Sequence, residues 1–397
     1  MWADGLAALL LIGALLLTLP SAVLLAQVLM APRPGSQRGA LLDGQRPRVA
    51  VLVPAHDEAR GIGTTLVSIR RQLRQGDRLL VVADNCSDDT AALARAAGAE
   101  VAERNDPARR GKGYALDHGL RELAARPPHV VVVVDADCDV GDGCIDQLAR
   151  RCGATGRPVQ ALYLMLAPPD AGTKLRYAEF AWRVKNLVRP LGGARMGWPC
   201  QMMGTGMALR WPDARSLTLA HAGLAEDMQM GIELALGGRP PLFEPAVRVT
   251  SRFPSSDTAA QGQRRRWEEG HLANVLDGVP GLVGGAWRRR DARLLGMALD
   301  LGVPPLALLL LLSAALAAVC VAWSLAGGGT GPAAVAVGAL LLQAGAVSIA
   351  WWKFGRPLLR AGEIAAAPWY ALRKVPLYLR MLVQRQRSWV RTERDER

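Results

Sequence analysis

Two long uncharged segments constrain the fold of this chain more than any other feature. No charged residue occurs between Asp4 and Arg33 or between Leu301 and Trp352. At roughly 1.5 Å per residue, a helix in either segment can cross a hydrocarbon core of about 30 Å. A glycine-rich stretch divides the second segment into two spans, so we predict three transmembrane helices. For the first span, a cleaved signal peptide is the alternative, but it would begin with basic residues and be shorter.

Basic residues follow the first predicted span, precede the second and follow the third, whereas the glycine-rich turn between the second and third spans carries no charge. Because cytosolic flanks carry the excess of Lys and Arg, we predict an extracytoplasmic N-terminus in a cell (inner or plasma) membrane. The flanking basic residues are Arg33, Arg38, Arg46, Arg48, Arg288, Arg289, Arg290, Arg293, Lys353, Arg356 and Arg360. The predicted organisation is an N-terminal transmembrane anchor (1–32), a cytosolic domain (47–295), a transmembrane helical hairpin (298–352) and a basic amphipathic cytosolic tail (353–397).

The charge balance restricts the classes of partner. The chain has 48 Lys and Arg against 35 Asp and Glu, a formal net charge of +13. Such an excess fits an anionic membrane surface or a phosphate-bearing substrate. Zinc-finger spacing and dense lysine runs are absent from the sequence, so we expect no nucleic-acid partner. The six cysteines form no C-x-x-C pair and the five histidines are scattered, which indicates reduced thiols and no zinc site.

The central region alternates between apolar strand patterns and helical patterns. Strands are predicted at 48–54, 79–84 and 129–134, with a further strand starting near Glu100 and helices between the strands. This alternation is typical of an α/β, doubly wound and mostly parallel sheet. Ligands of such sheets bind at the carboxyl ends of the strands.

Acidic side chains follow the strands predicted at 48–54, 79–84 and 129–134. Three acidic strand ends at one edge repel one another unless a cation or ligand donors neutralise them. The sequence therefore predicts a ligand site at this edge. The residues at these strand ends are Pro54, His56, Asp57 and Glu58 after the first strand, Asp84 at the end of the second, and Asp135 and Asp137 after the third.

Four elements in order resemble the family-2 glycosyltransferases with the GT-A fold, over roughly 48–275. They are the loop 53–58, the D-x-D sequence 135–137, the acidic pair Glu226-Asp227 and the Q-x-x-R-W sequence 263–267. The similarity is greatest to the membrane-bound branch that includes cellulose and hyaluronan synthases and ceramide glucosyltransferase. One departure is Ala225, where many relatives have Thr.

The resemblance implies an inverting glycosyltransferase of hexosyltransferase type that uses a nucleotide-diphosphate sugar, typically a UDP-sugar. Asp137 is the candidate metal ligand for Mg²⁺ or Mn²⁺, because a hard carboxylate oxygen suits these ions. Asp135 is a second candidate ligand, or a contact to the ribose. Asp227 is the candidate general base, and Glu226 beside it is either a supporting residue or a helix-start acid.

Further residues are candidates for binding the donor. Asp84 is expected to bind the nucleotide base, and the loop with Asp57 and Glu58 is expected to bind base or ribose. Lys112 precedes a predicted helix after a glycine, which favours a phosphate contact. An ordinary polar loop or a solvated basic loop remains an alternative for each.

The last candidates concern the donor phosphate and the acceptor. Arginine matches phosphate oxygens with a planar fork, and Trp offers an apolar face for an acceptor. A basic interfacial helix with a Trp anchor is an alternative interpretation, and both can hold at once. The candidates are Gln263, Arg265, Arg266, Trp267 and the segment Gly204, Thr205 and Gly206.

Two further segments, Leu175 to Pro190 and Trp369 to Trp389, are predicted as amphipathic helices on the membrane, with ordinary core helices as the alternative. The leading hypothesis is a single transfer to a lipid or lipid-linked glycan acceptor in bacterial exopolysaccharide or glycolipid synthesis. A processive β-polysaccharide synthase that exports its chain is the alternative, and an inactive transferase-like binding protein is a third class. Expected partners are the nucleotide-sugar donor, the acceptor, membrane lipids and polysaccharide-assembly proteins.

Overall fold

A computed structural model describes residues 2–33, 45–220, 225–254 and 257–383. Arg38 in the first basic flank and the end of the tail from residue 384, including Trp389, lie outside the described residues.

The strands and helices alternate along the central region, as predicted. The strands are β1 (Val49–Ala55), β2 (Arg78–Asp84), β3 (Glu100–Arg104), β4 (Val130–Val133), β5 (Asp139–Val140), β6 (Val159–Leu166), β7 (Met207–Arg210) and β8 (Leu242–Arg252). The helices are α1 (Trp2–Met30), α2 (Ile62–Arg70), α3 (Thr90–Ala96), α4 (Lys112–Leu123), α5 (Cys144–Thr155), α6 (Thr173–Arg183), α7 (Arg189–Arg195), α8 (Trp211–Arg215), α9 (Glu226–Leu236), α10 (Asp257–Arg289), α11 (Ala292–Leu301), α12 (Leu306–Leu325), α13 (Gly331–Ala350), α14 (Ala361–Ala365), α15 (Ala367–Leu372) and α16 (Val375–Val383), with π-helical segments at Val184–Val188 and Trp351–Gly355.

One mixed sheet organises the central domain. Its eight strands run in the order β3-β2-β1-β4-β7-β6-β8-β5. Strands β3, β2, β1 and β4 are parallel, and β7 enters antiparallel to both β4 and β6. The predicted α/β fold with a mostly parallel sheet is confirmed. Because β7 runs against β4, the residues just before β7 lie at the carboxyl end of β4.

Apolar cores cover both faces of the sheet, which is why its strands are nearly continuous hydrophobic runs. One face packs on α2 and α5 through residues such as Leu66 and Leu148. The other packs on α4 through residues such as Leu116 and Leu120. This double cover leaves the carboxyl edge of the strands as the open place for polar side chains.

Three helices are long and apolar enough to cross a membrane: Ala3–Met30, Leu306–Leu325 and Gly331–Gly355. Buried Gln343 on α13 joins them, because its amide donates to Ser21 on α1 at 2.9 Å and to Ser313 on α12 at 2.6 Å. The predicted hairpin begins at Leu306 rather than at 298, because 298–301 is the end of α11.

The ends of α1 and α13 lie together. The Lys353 ammonium donates to the carbonyls of Val28 at 3.0 Å and Ala31 at 2.9 Å, so it caps the last turn of α1. The Arg33 guanidinium lies 4.7 Å from the ring centre of Trp352. The predicted orientation needs these two basic flanks on the same side, and it stays a prediction.

A buried polar network joins the helical bundle to the central domain. The Asp300 carboxylate on α11 accepts hydrogen bonds from Gln27 on α1 at 2.7 Å, from Arg189 on α7 at 2.9 Å and from Gln201 at 3.2 Å. Gly192 on α7 lies so close to the backbone of Gln27 that a side chain there would collide with it. The network therefore holds α1 directly against the domain.

Candidate active site

The carboxyl ends of β2, β1 and β4 are neighbours in the sheet, so the predicted acidic strand ends lie along one edge. Asp84 ends β2, Asp57 follows β1, and Asp135 and Asp137 follow β4. The chain order alone does not determine this adjacency. The strand pairing brings together side chains that lie far apart in the sequence.

Asp135 and Asp137 form the acidic group nearest the centre of the site. Ligand atoms of Asp135, Asp137 and Cys138 all lie within 4.8 Å of one another. Two carboxylates at this spacing offer the hard oxygen ligands that Mg²⁺ and Mn²⁺ prefer, whereas a thiol is a softer ligand. The donor set thus fits a divalent cation held by the predicted residues.

The segment Gly204-Thr205-Gly206 lies against this acidic group because β7 is antiparallel to β4. The Thr205 hydroxyl accepts a hydrogen bond from the Asp135 backbone N–H at 3.1 Å, and the Gly206 N–H donates to the Val133 carbonyl at 2.9 Å. Gly204 and Gly206 have φ angles of +88° and +65°, which glycine adopts without strain. This loop is therefore a tightly fixed wall of the site.

Gly204 lies where the charges converge. A Cβ at Gly204 would lie 3.4 Å from Asp227 Oδ2, 3.5 Å from Lys112 Nζ and 3.8 Å from Asp135 Oδ2. Lys112 donates to the Gly204 carbonyl at 2.7 Å and forms an ion pair with Asp135. Burial opposes its charge, but the carboxylates of Asp135 and Glu226 raise the pKa of Lys112 above its usual value. Lys112 is thus a fixed cation among the acids.

The first turn of α9 supplies the acidic pair. Glu226 and Asp227 begin this helix after Ala225, and acids at a helix N-terminus are stabilised by the backbone dipoles. Burial raises the pKa of Glu226, while the Lys112 charge opposes that rise. The site therefore holds one carboxyl group with increased proton affinity next to Asp227.

Helix α10 forms the opposite wall through Gln263, Arg266 and Trp267. Their i, i+3 and i+4 spacing puts them on one face of the helix, and all three line the cavity. Arg265 is on a different face, where its guanidinium bonds Glu269 at 2.7 Å. Arg265 therefore lies outside the cavity lining, whereas the predicted residues Gln263, Arg266 and Trp267 are part of it.

These elements enclose a cavity of about 180 Å³. It extends from the acidic strand end to the network at the base of α1. The predicted residues that line it are Lys112, Asp135, Asp137, Gly204, Glu226, Asp227, Gln263, Arg266 and Trp267.

The other donor-binding candidates form a second group on the same sheet edge, outside the cavity lining. His56 Nδ1 is 2.7 Å from the Asp84 carbonyl oxygen, and Asp57 accepts a hydrogen bond from the Ser87 N–H at 2.6 Å. The Asp84 carboxylate accepts from Arg104 at 2.5 Å and from Asn85 at 3.0 Å, both through Oδ1. This group is a preorganised polar rim beside the cavity.

Pro54 and Glu58 support this rim through their backbones. Pro54 pairs with Val82 in the sheet, and the Glu58 N–H donates to Thr90 at 2.7 Å. Asp57 and Asn85 have φ angles of +50° and +53°. Left-handed backbone is uncommon for residues other than glycine and is found preferentially at functional sites.

Several cavity residues were not identified as site residues from the sequence. Trp182, Lys185 and Arg189 belong to the segment predicted to lie on the membrane; it is helical, but these side chains line the cavity. Trp182 packs 4.7 Å from Trp267 between ring centres. His271 follows Trp267 by one turn, and burial lowers its pKa to about 3, so its ring is neutral at physiological pH. No motif signalled these residues, although the spacing from Trp267 places His271 on the same helix face.

Comparisons with known proteins identify the family to which this chain belongs. The profile of the glycosyltransferase-like family 2 matches residues 47–270, more than half of the chain. A curated relative, the glucosyl-3-phosphoglycerate synthase of Mycolicibacterium paratuberculosis, is 42% identical over 96 residues, which is 22% of this chain and 28% of that protein. The chain thus matches less than a third of the length of this relative.

Two solved structures are similar to this chain, and the first of them shares its fold. The mannosyltransferase PcManGT from Pyrobaculum calidifontis, in complex with GDP-Man and Mn²⁺, is 19% identical with a TM-score of 0.54, over 88% of this chain and 97% of that chain. The glucosyl-3-phosphoglycerate synthase from Mycobacterium tuberculosis, with Mn²⁺, UDP and glucosyl-3-phosphoglycerate, has a TM-score of 0.40 at 23% identity, over 60% of this chain and 84% of that chain. On the family profile, together with the GT-A arrangement of the sheet and its acidic edge, this chain belongs to glycosyltransferase family 2.

Proposed function

We propose that the chain is an inverting glycosyltransferase that moves a hexose from a nucleotide-diphosphate donor to a membrane lipid or lipid-linked acceptor. The preferred candidate for the donor is a UDP-sugar. The observation that carries the proposal is the convergence of Asp135, Asp227 and Lys112 on Gly204 in one cavity. Such a cluster combines cation ligands, a carboxylate base and a fixed positive charge within a few ångströms.

Asp135 and Asp137 would hold Mg²⁺ or Mn²⁺ through their carboxylate oxygens. When bound, the ion neutralises charge on the leaving diphosphate as a Lewis acid. The fold relative PcManGT was solved with Mn²⁺ and GDP-Man, which supports this assignment.

The chain positions the donor with its own groups. Asp84 has both of its described donors on Oδ1, which leaves Oδ2 to accept a hydrogen bond from the nucleotide base. Arg266 on α10 and Lys112 at the start of α4 face the cavity, where they offer donors to phosphate oxygens. Trp267 presents an apolar face to the acceptor.

Asp227 accepts the proton of the acceptor hydroxyl as that oxygen attacks the anomeric carbon. Attack on the face opposite the leaving diphosphate inverts the anomeric centre, so an α-linked donor yields a β-linked product. Glu226 lies next to Asp227 at the start of α9, and burial raises its pKa, while the Lys112 charge opposes that rise.

A membrane acceptor agrees with the position of the cavity. Its far end is lined by Arg189 and Asp300, which bond Gln27 on α1. The acceptor headgroup would therefore enter from the end of the domain that carries the transmembrane bundle. The domain division, the cytosolic location and the membrane-bound branch are parts of this proposal.

Single transfer is favoured over processive synthesis by the packing of the bundle. A glycan conduit must line roughly 30 Å of hydrocarbon with polar groups. Here the buried polar side chains Gln343, Ser21 and Ser313 bond one another. They hold three helices together instead of lining a channel.

The test is a panel of radiolabelled UDP- and GDP-sugars with purified full-length protein and a lipid acceptor. We expect one sugar per acceptor, and a ladder of lengthening glycan would establish the processive alternative. Asp227→Asn should abolish transfer with donor affinity nearly intact, because the base acts in the transition state. Glu226→Gln is the matched comparison: it keeps the helix start and should lose much less activity. Transfer by Asp227→Asn within tenfold of wild type would remove Asp227 from the mechanism.

A further inference from the structure

Lys185 differs from the other cations of the cavity wall in its partners. Lys112 pairs with Asp135, and Arg189 pairs with Asp300 at 2.9 Å. Among the described residues, the Lys185 ammonium has no carboxylate within ion-pair distance, and its contact is the Trp182 ring at 5.5 Å. Within the described residues, the cavity thus contains an ammonium group that has no ion-pair partner.

The surroundings of Lys185 make this charge costly. Burial lowers the pKa of Lys185, and the nearby Arg189 lowers it further, whereas Asp227 is the carboxylate that acts most strongly against this. Burying a charge without a partner is unfavourable. An anion bound in the cavity would supply the missing counter-charge.

The backbone holds Lys185 in place. It lies in the π-helical segment Val184–Val188, whose residues Val184, Asn186 and Val188 are buried. The Asn186 amide donates to the Tyr163 carbonyl at 3.2 Å. Single π-helical turns within α-helices occur frequently at functional sites. Here the turn directs Lys185 to the cavity while its neighbours are anchored in the core.

Trp182 and Asn186 complete a defined pocket wall around this ammonium. The Trp182 indole N–H donates to the Tyr163 carbonyl at 3.3 Å, and its ring packs against Trp267. We call Lys185, Trp182 and Asn186 the Lys185 subsite. It lies in the same cavity as Asp227 and as the Arg189–Asp300 pair at the base of α1.

We propose that the Lys185 subsite binds an anionic group, a phosphate or a carboxylate, on the headgroup of the acceptor. This inference rests on the proposed function and narrows its acceptor class. The acceptor hydroxyl lies at Asp227 and its anionic group at Lys185. A neutral headgroup would leave the half-buried ammonium without an ion-pair partner, so the subsite also selects against neutral lipids.

The experiment uses full-length protein in detergent with the labelled sugar-nucleotide panel. A bacterial total lipid extract is divided by anion exchange into acidic and neutral lipids, and glycerol 3-phosphate serves as a soluble anionic acceptor. We expect label in the acidic lipids. Label in glycerol 3-phosphate instead would support the same anion recognition with a soluble source.

Variants separate this subsite from the reaction itself. Lys185→Gln should raise the KM for the acidic acceptor by about 10- to 100-fold, because a hydrogen bond to a charged group is lost, and should change the KM for the donor far less. Lys185→Arg should retain most of the acceptor affinity. Lys174→Gln, at an exposed lysine of α6, is the matched control and should behave as wild type.

Label only in neutral lipids, donor hydrolysis with no labelled acceptor in any arm, or an acceptor KM within twofold of wild type in Lys185→Gln would overturn the subsite. In those cases the sugar donor is still consumed. If wild-type protein turns over no sugar nucleotide in any arm, the proposed function itself fails.

Discussion

Replacing Gly204 by alanine tests whether the three converging charges form the reacting centre. Two effects are expected, and they can be separated. Gly204 has a φ of +88°, and a left-handed conformation costs an L-residue roughly 1–2 kcal/mol. For a domain of about 150–250 residues, each kcal/mol lowers the melting temperature by about 2–4 °C. The variant should therefore fold and melt somewhat earlier.

The second effect is on catalysis. The new methyl would lie 3.4 Å from Asp227, 3.5 Å from Lys112 and 3.8 Å from Asp135. These are ordinary contact distances, so nothing has to move to admit it. The methyl instead fills the gap in which we propose that the reacting atoms lie. Misplacement of reactants by about 1 Å can cost about 100-fold, and we expect a loss of that order in kcat/KM.

Gly76→Ala is the matched control. Gly76 has the same φ of +88° and no atom within 4 Å of a Cβ built there. It should lower the melting temperature by a similar amount and leave transfer at the wild-type rate. Steady-state transfer and thermal unfolding by Trp fluorescence measure the two effects. Gly204→Ala with activity within threefold of Gly76→Ala would refute the assignment of the centre.

Three further predictions address the cation, the membrane topology and the polar network between the helical bundle and the central domain. Asp137→Ala should eliminate metal-dependent donor binding in calorimetry, whereas Asp142→Ala, at an exposed acid nearby, should not; activity that survives in EDTA would contradict the metal assignment. A reporter fused at Gly329 should give an extracytoplasmic signal, and a cytosolic signal there would exclude the proposed three-span orientation. Asp300→Leu should destabilise the protein by about 3–5 kcal/mol, because the buried Arg189 guanidinium loses its partner, while Asp277→Leu at an exposed position should have little effect on the melting temperature. Adding Arg189→Met to Asp300→Leu should restore part of the loss, and an equally unstable double variant would show that the pair is not the cause.

Local patterns were sufficient for much of the fold. Uncharged runs indicated α1, α12 and α13 because hydrocarbon tolerates no unpaired charge over that length. Valine-rich runs indicated β1 and β4 because a parallel strand is covered on both faces. The ends of helices are specified less well by local pattern: α10 continues through Pro280 to Arg289, although proline usually interrupts a helix.

The candidate site was predictable where a motif and a strand end coincide, as at Asp135 and Asp137. It was less predictable on helices. Arg265 stands beside Arg266 in the Q-x-x-R-W sequence, but helical geometry turns Arg265 towards Glu269 and Arg266 to the cavity. The residue types in a motif therefore identify the cavity-lining side chains less well than the helix face on which each residue lies.

The sequence by itself determined the three long apolar helices, the alternating strands and helices, and the acids that end β1, β2 and β4, because each depends on neighbours within a few residues. Only the tertiary structure decided that Lys185 and Arg189 face the cavity, since an amphipathic basic helix has the same pattern whether it lies on lipid or lines a site. It also decided that Gln27 and Asp300, 273 residues apart, meet in one hydrogen bond. Contacts of that kind depend on how whole helices pack, which no local periodicity specifies.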